Sequence, residues 1–347
     1  MDKKEALKIV QEDVVGGLKN LPDEFKKDKD IVLAAVKGYG DALQFAHKNL
    51  KGDKKFIIKA VSQNGNLQFA DNKLKADKEV LLAAVKYSGL NLEEANEKLK
   101  ADKEVVLVAV KQNGYALEYA DDSLKKDKEI VLEAVKHHGK ISEGGGNTFE
   151  YADDSLKKDK EFVLKLVKQD GSAFEYADDS LKKDKDIFLE AVKTWGYALE
   201  YVDDSLKKDK EFVLKAVKQG GSSLQYADDS LKKDKEFVLS AVKQGGDGDA
   251  LECADDSLKK DKEIVLEAVK QWGYALQYAD DKFKKDREIV LSAVKQGGDA
   301  LEYADDSLKK DKEIVLEAVK QNGSALEYAD ETLKNDDDIL VIVNKNK

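Results

Sequence analysis

The string "DDSLKKDK" occurs seven times in the chain, first at Asp121–Lys128 and last at Asp305–Lys312. Carboxylates, a hydroxyl and ammonium groups packed that closely suit cation ligation, polyanion binding, or charge pairing at a junction between elements. A calcium loop of the EF-hand type needs oxygen ligands at alternating positions, a glycine at its sharp turn and a closing bidentate glutamate. Counting from Asp121, the alternate places hold Ser123, Lys125 and Asp127, so an ammonium stands where a ligand is required, and there is no glycine. The segment "GGDGD" at Gly245–Asp249 is superficially calcium-loop-like, but Ala250 takes the aspartate position and the segment is not repeated. No metal site and no cofactor are expected.

The polyanion reading rests on a lysine ladder: Lys125, Lys126 and Lys128, repeated as Lys157, Lys158, Lys182, Lys183, Lys207 and Lys208. Such rows could track phosphates. Equally regular rows of Asp121, Asp122 and Asp127 run beside them, and the chain carries a net charge of −11 with a pI near 5.1. Bulk charge therefore disfavours nucleic acid and anionic membranes, and the expected state of the ladder is a paired, solvated face. Arg287 is the only arginine, so the bidentate forks that favour phosphate are missing.

Aromatic residues offer a better binding surface. One column runs Phe45, Phe69, Tyr119, Tyr151, Tyr176, Tyr201, Tyr226, Tyr278, Tyr303 and Tyr328, with Cys253 in place of one tyrosine; its rings are expected to pack between repeats. A sparser set, Tyr115, Tyr197 and Tyr274, follows a recurrent glycine, with Trp195 and Trp272 just before it. These five are the candidate protein-binding residues, because Trp and Tyr on an exposed edge are typical interface anchors. Enzyme chemistry has little to work with: the only histidines are His47, His137 and His138, and no phosphate-binding loop or dinucleotide fingerprint is present. A non-enzyme is expected.

The elements that position these groups follow from self-similarity. Aspartates before the "KEIVL"-type run recur at Asp28, Asp53, Asp77, Asp102, Asp127, Asp159, Asp184, Asp209, Asp234, Asp261, Asp286, Asp311 and Asp336, nearly always 24 or 25 apart. The two longer steps hold "KISEGGGNT" and "GGDGDA", both directly after the repeat glycine, where an insertion marks a surface loop. Asp127 reads as a helix N-cap and Ile130, Val131, Ala134 and Val135 as the buried face of a helix of about eleven residues, with Leu132 widening the stripe. Gly139 and its counterparts Gly114, Gly171, Gly196, Gly221, Gly273 and Gly323 are expected to supply a left-handed stop. Leu117, Ala120 and Leu124 fit a second helix of about two turns from Ala116, joined to the next cap by a tight 3₁₀ turn over "DSLKKD".

One such unit buries too little to fold alone, so the units are expected to stack. The expected fold is an all-α solenoid, a right-handed superhelix or curved array of about thirteen two-helix repeats. It is read as one domain over 1–347, with a degenerate N-terminal capping repeat at 1–27, tandem repeats at 28–335 and a C-terminal cap at 336–347. The pattern "LEYADDSLKKDKEIVLEAVKQNG" resembles the helical repeats of the domain of unknown function family 4116, carried here by Asp127, Glu129, Leu132, Ala134, Val135 and Gly139; early repeats depart from it at Glu94 and Pro22. The resemblance implies a repeat type and no activity.

The single cysteine excludes an internal disulfide, and the opening "MDKKEALKIVQEDVVGGLKN" has no secretory or membrane-spanning character, so a cytoplasmic protein is expected. The expected role is a non-catalytic scaffold for a protein or peptide partner. The alternatives are polyanion binding along the lysine ladder, or a structural spacer or self-assembling rod joined through "ILVIV" at Ile339–Val343, a segment read first as a terminal cap.

Overall fold

The computed structural model of the chain describes residues 1–137, 147–245 and 249–345, and among them every regular element is helical. The complete form of the repeat has three parts. The unit around Asp127 shows them in order: a 3₁₀-helix over Gly114–Tyr119, a single α-helical turn over Asp122–Lys125, and a long α-helix over Lys128–Lys136.

The long helix begins as the sequence requires. Asp127 is extended, and its Oδ1 accepts from the N–H groups of Glu129 at 2.9 Å and Ile130 at 3.3 Å, occupying donors that the first turn leaves without a helical partner. Ile130, Val131, Ala134 and Val135 are all buried and Leu132 is half-buried, the expected stripe.

The helix ends differently from expectation. In six repeats the residue before the glycine is an extended C-cap, as in Asn113 (φ −152°, ψ 115°) and Trp272 (φ −148°, ψ 112°), and its N–H bonds back to the carbonyl of an alanine four residues earlier, Ala109 and Ala268 in these two. Gly171, Gly196, Gly273 and Gly323 are not left-handed. Glycine is required at some of these sites by close approach instead: a Cβ on Gly273 would overlap the Ala293 carbonyl of the next long helix and sit 3.1 Å from the Gly297 nitrogen, and Gly171 meets the Ala191 carbonyl in the same way. Gly139 lies outside the described residues, as do residues 140–146 of the first insertion and 246–248 of the second.

The second helix also takes another form. Ala116 and Leu117 are buried on a 3₁₀-helix rather than an α-helix, the chain becomes extended at Ala120 (φ −69°, ψ 153°), and "DSLK" forms the α-turn. The expected order of 3₁₀ and α is reversed because Asp121 competes for local donors. Its side chain caps the turn by accepting from the N–H and hydroxyl of Ser123, so the helix stops at Tyr119 and restarts at Asp122. In two later repeats this turn is itself 3₁₀, at Leu206–Lys208 and Leu258–Lys260.

Contacts divide the chain into two compact units, Met1–Gln169 with Tyr176–Asp178, and Asp170–Glu175 with Asp179–Lys347. The same repeat continues on both sides of the division. Within the first unit the long helices from Lys54, Lys78, Lys103 and Lys128 pack in succession, and within the second those from Lys210, Lys235, Lys262, Arg287 and Lys312. A backbone rung crosses most junctions, as where Asp121 N–H donates to Lys100 O at 3.0 Å, Asp153 to Lys125 O at 3.1 Å, and Asp280 to Lys259 O at 3.1 Å.

The ends follow the same rules. Asp2 caps a helix over Lys3–Glu12, and Lys3 pairs with Asp28 and Asp30 as a repeat lysine does, so the N-terminal segment carries its own long helix. At the other end the helix Asp337–Lys345 buries Ile339 and Val343 against the helix Lys312–Gln321 and leaves Val341 exposed.

Candidate functional site

In the copy at Asp121–Lys128 each acid and base of "DDSLKKDK" has a defined partner, and most other copies repeat the pattern. The last lysine opens the long helix and reaches the cap of the following repeat: Lys103 Nζ lies 2.7 Å from Asp127 and 2.9 Å from Glu129, Lys78 lies 2.7 Å from both Asp102 and Glu104, and Lys128 pairs with Asp159. The middle lysine faces the first aspartate of the next repeat, as in Lys126–Asp153 (3.7 Å), Lys158–Asp178 (3.9 Å), Lys183–Asp203 (3.4 Å) and Lys208–Asp228 (3.8 Å). The first lysine folds back within its own turn, as in Lys125–Asp122, Lys157–Asp154, Lys182–Asp179 and Lys207–Asp204. All nine ladder lysines are thus placed beside carboxylates.

Electrostatics follow from this pairing. Hydrogen bonds to Asp127 and Glu129 raise the Lys103 pKa to about 12. The Lys78 ammonium and backbone N–H groups hold Asp102 below the usual carboxylate range against the opposing effect of burial. The seam is therefore an interlocked set of ion-pair rows running from one repeat to the next.

The five aromatic candidates lie on the opposite end of the repeat, where the long helix passes into the 3₁₀-helix. The structure brings them onto the tyrosine column, a conjunction the sequence treats as two separate sets. Tyr115 meets Tyr151 edge-on at 6.4 Å, Tyr197 meets Tyr226 at 6.2 Å and Tyr274 meets Tyr303 at 6.1 Å, each ring packing on the next repeat. Trp195 stacks on Tyr201 at 5.2 Å, and Trp272 leans on Tyr274 at 5.4 Å. Tyr197 is 51% exposed, whereas Tyr115, Trp195, Trp272 and Tyr274 are half-buried. The expected row of free aromatic anchors is therefore a packed aromatic edge with one ring standing out.

Carboxylates line this edge. Burial, with the nearby Glu175 and Glu200 carboxylates, raises Tyr201, and burial with Glu252 raises Tyr278 to about 12. Tyr226 rises to about 12 through burial and Glu200. Tyr274 rises to about 12 through burial and its hydroxyl's 3.0 Å bond to Asp299 Oδ2, and Asp299 also accepts from Asn322. Burial and the neighbouring carboxylates thus both favour the neutral phenols, and Tyr274 donates its hydrogen to Asp299.

Cys253, in the same column, is half-buried with its thiol pushed up to about 11 by burial and Glu252, which removes the thiolate needed for nucleophilic chemistry. No group of residues that could hold a metal ion occurs among the described residues, and no described helix is long and apolar enough to cross a membrane.

Sequence reasoning placed no candidate site in the first three repeats. Their 3₁₀ edges, within residues 38–94, enclose an open pocket of about 540 Å³ whose lining includes Tyr39, Asp41, Asn64, Tyr87 and Glu93. The signal was present as the departures from the repeat consensus at these positions.

The model of the family described as a domain of unknown function (DUF4116) matches the chain in overlapping segments from residues 2–51 through 102–157 and 209–259 to 311–347. A matching segment such as 53–100 spans two of the repeats defined by the capping aspartates. No match to a curated protein is found.

Proposed function

The chain belongs to this family of tandem helical repeats, and from that premise we propose that it is a non-catalytic α-solenoid scaffold that binds a protein or peptide partner along its aromatic 3₁₀ edge. The observation that supports the reading most is the contrast between the two ends of the repeat. At the seam the ladder lysines lie beside carboxylates, so binding a polyanion there would first have to break ion pairs. At the 3₁₀ edge, aromatic rings packed from repeat to repeat leave faces in solvent, with Tyr197 standing out. Rings fixed by their neighbours lose little entropy on binding, which favours them as anchors.

The experiment is affinity capture from cell extract with wild type and with Tyr197→Ala, Tyr274→Ala and the double variant, followed by titration of the captured partner. The reading expects a saturable protein partner whose affinity falls at least tenfold in the double variant, the loss typical of a hot spot. A partner bound equally by all four proteins, or retention on heparin at low salt in place of any protein partner, overturns it.

A further inference from the structure

We infer that the pocket over the 3₁₀ edges of residues 38–94 is a binding site for an organic cation, either the ammonium or guanidinium group of a peptide side chain or a polyamine. The pocket arises from a fault in the repeat. Elsewhere a small residue between glycine and leucine fills the space under the edge: Ala116, Ala198, Ala275 and Ala300 are all essentially inaccessible to solvent, as is Ala42 in the first of the three repeats. The second repeat reads Gly65-Asn66-Leu67, one residue short, and its 3₁₀-helix shrinks to Leu67–Phe69; the third repeat places Asn91 at the alanine position. Two successive breaks in the alanine column leave the opening of about 540 Å³, a size within the range of small-ligand sites.

The chemistry of the lining selects the charge of the guest. Tyr39 and Tyr87 contribute rings, Asp41 and Glu93 carboxylates, and Asn64 and Asn66 amides, while no lysine, arginine or histidine is among the described lining residues. The rings are held in place. The Tyr87 hydroxyl donates to Asn64 Oδ1 at 3.1 Å, the Tyr39 hydroxyl lies 3.4 Å from Asp41 Oδ2, and Asn66 Nδ2 donates to Asp41 Oδ1 at 2.9 Å. Tyr87 remains 43% exposed, and Glu93 is exposed at the rim. Glu94, also in the lining, is paired with Lys75 at 3.1 Å, whereas Asp41 and Glu93 have no cationic partner among the described residues; fixed aromatic faces beside these carboxylates attract a cation by ring quadrupole and by charge together, and the same groups disfavour an anion.

The test is calorimetric titration of the full chain with spermine and, separately, with capped hexa-arginine, with capped hexa-glutamate as control. Tyr87→Ala and Glu93→Gln should each weaken binding about two- to fivefold and together about tenfold. Tyr87→Phe, which keeps the ring face and loses only the bond to Asn64, should weaken binding less than Tyr87→Ala does, and 0.5 M salt should weaken all binding. Tighter binding of the peptide assigns the site to a side chain, and tighter binding of spermine assigns it to a polyamine. Glu93 is exposed, so Glu93→Gln reads the site without a folding penalty. Unchanged affinity in the double variant, no binding of either cation to wild type, or equal binding of hexa-glutamate overturns the inference. Tyr197→Ala lies in the other compact unit and should leave this binding untouched, so this site and the aromatic-edge reading fail separately.

Discussion

Replacing Asp102 separates the two tasks that a seam aspartate performs. Its Oδ1 accepts from the N–H groups of Glu104 at 3.1 Å and Val105 at 3.2 Å, and its Oδ2 lies 2.7 Å from Lys78 Nζ of the preceding repeat. Loss of an N-cap costs about 1 kcal/mol, with a range of about 0.5–2, and asparagine caps about as well as aspartate. The ion pair is solvent-accessible on both sides, with side chains 41% and 27% exposed, and Lys78 keeps Glu104 when Asp102 is removed, so the pair is the smaller contribution. Asp102→Ala should therefore lower stability by about 1–2 kcal/mol and Asp102→Asn by less than half of that. The pH dependence has a definite sign. The Lys78 hydrogen bond, with the backbone donors, lowers the Asp102 pKa from 3.8, so the charge stabilises the fold above that value and the benefit is lost as pH falls through the lower folded pKa. The gap between wild type and Asp102→Asn should close below about pH 4, while the gap between asparagine and alanine persists. Urea unfolding followed by circular dichroism reads the totals. Hydrogen exchange of the amides in Lys103–Gln112 localises the change, which matters because repeat arrays need not unfold in two states. Equal losses for alanine and asparagine at neutral pH would refute the assignment of capping as the principal task.

Glycine substitutions at one consensus position should give opposite outcomes. Gly273→Ala forces a Cβ into the Ala293 carbonyl and should cost about 1–3 kcal/mol, whereas Gly196→Ala meets nothing nearer than Ser223 Oγ at 3.8 Å and should be close to neutral in thermal melts. The whole chain should lose stability steeply in acid, since cap after cap, including Asp53, Asp77, Asp209, Asp261 and Asp336, is held below the usual range by a lysine of the preceding repeat; a flat melting temperature between pH 6 and pH 3 would contradict this. Cys253 should react with iodoacetamide at pH 8 far more slowly than free cysteine, because its thiol titrates near 11; a rate equal to that of glutathione would show that the thiol is not held neutral.

The parts of the fold that were legible in sequence are those where one residue type has one job. Asp127 must cap, and Ile130, Val131, Ala134 and Val135 must face inward; both hold in the structure. The helical form of the Ala116–Leu124 stretch was not legible, because spacings of three and four fit a 3₁₀-helix plus a separate turn as well as one continuous helix. The capping of Ser123 by Asp121 decides between them. The glycines were misread for a related reason: a left-handed stop and a close approach to the next repeat both exclude a side chain, and only the Ala293 carbonyl beside Gly273 distinguishes them. The charge rows were legible as paired ladders, while the exchange of partners between repeats needed coordinates. At the aromatic edge, Tyr197 and Tyr226 stand 29 positions apart and meet only because adjacent repeats are packed together. The pocket at Tyr87 escaped because its repeats look eroded when read as copies of a consensus.

Site-specific photo-crosslinking tests the central claim most directly. A benzophenone amino acid is placed at position 197 on the aromatic edge and, in a second protein, at position 183 on the seam, where Lys183 is 65% exposed, and both are irradiated in cell extract. The account predicts a discrete protein adduct from position 197, competed by excess wild type, and none from position 183. Adducts from position 183 alone, or nucleic acid captured there, would contradict it.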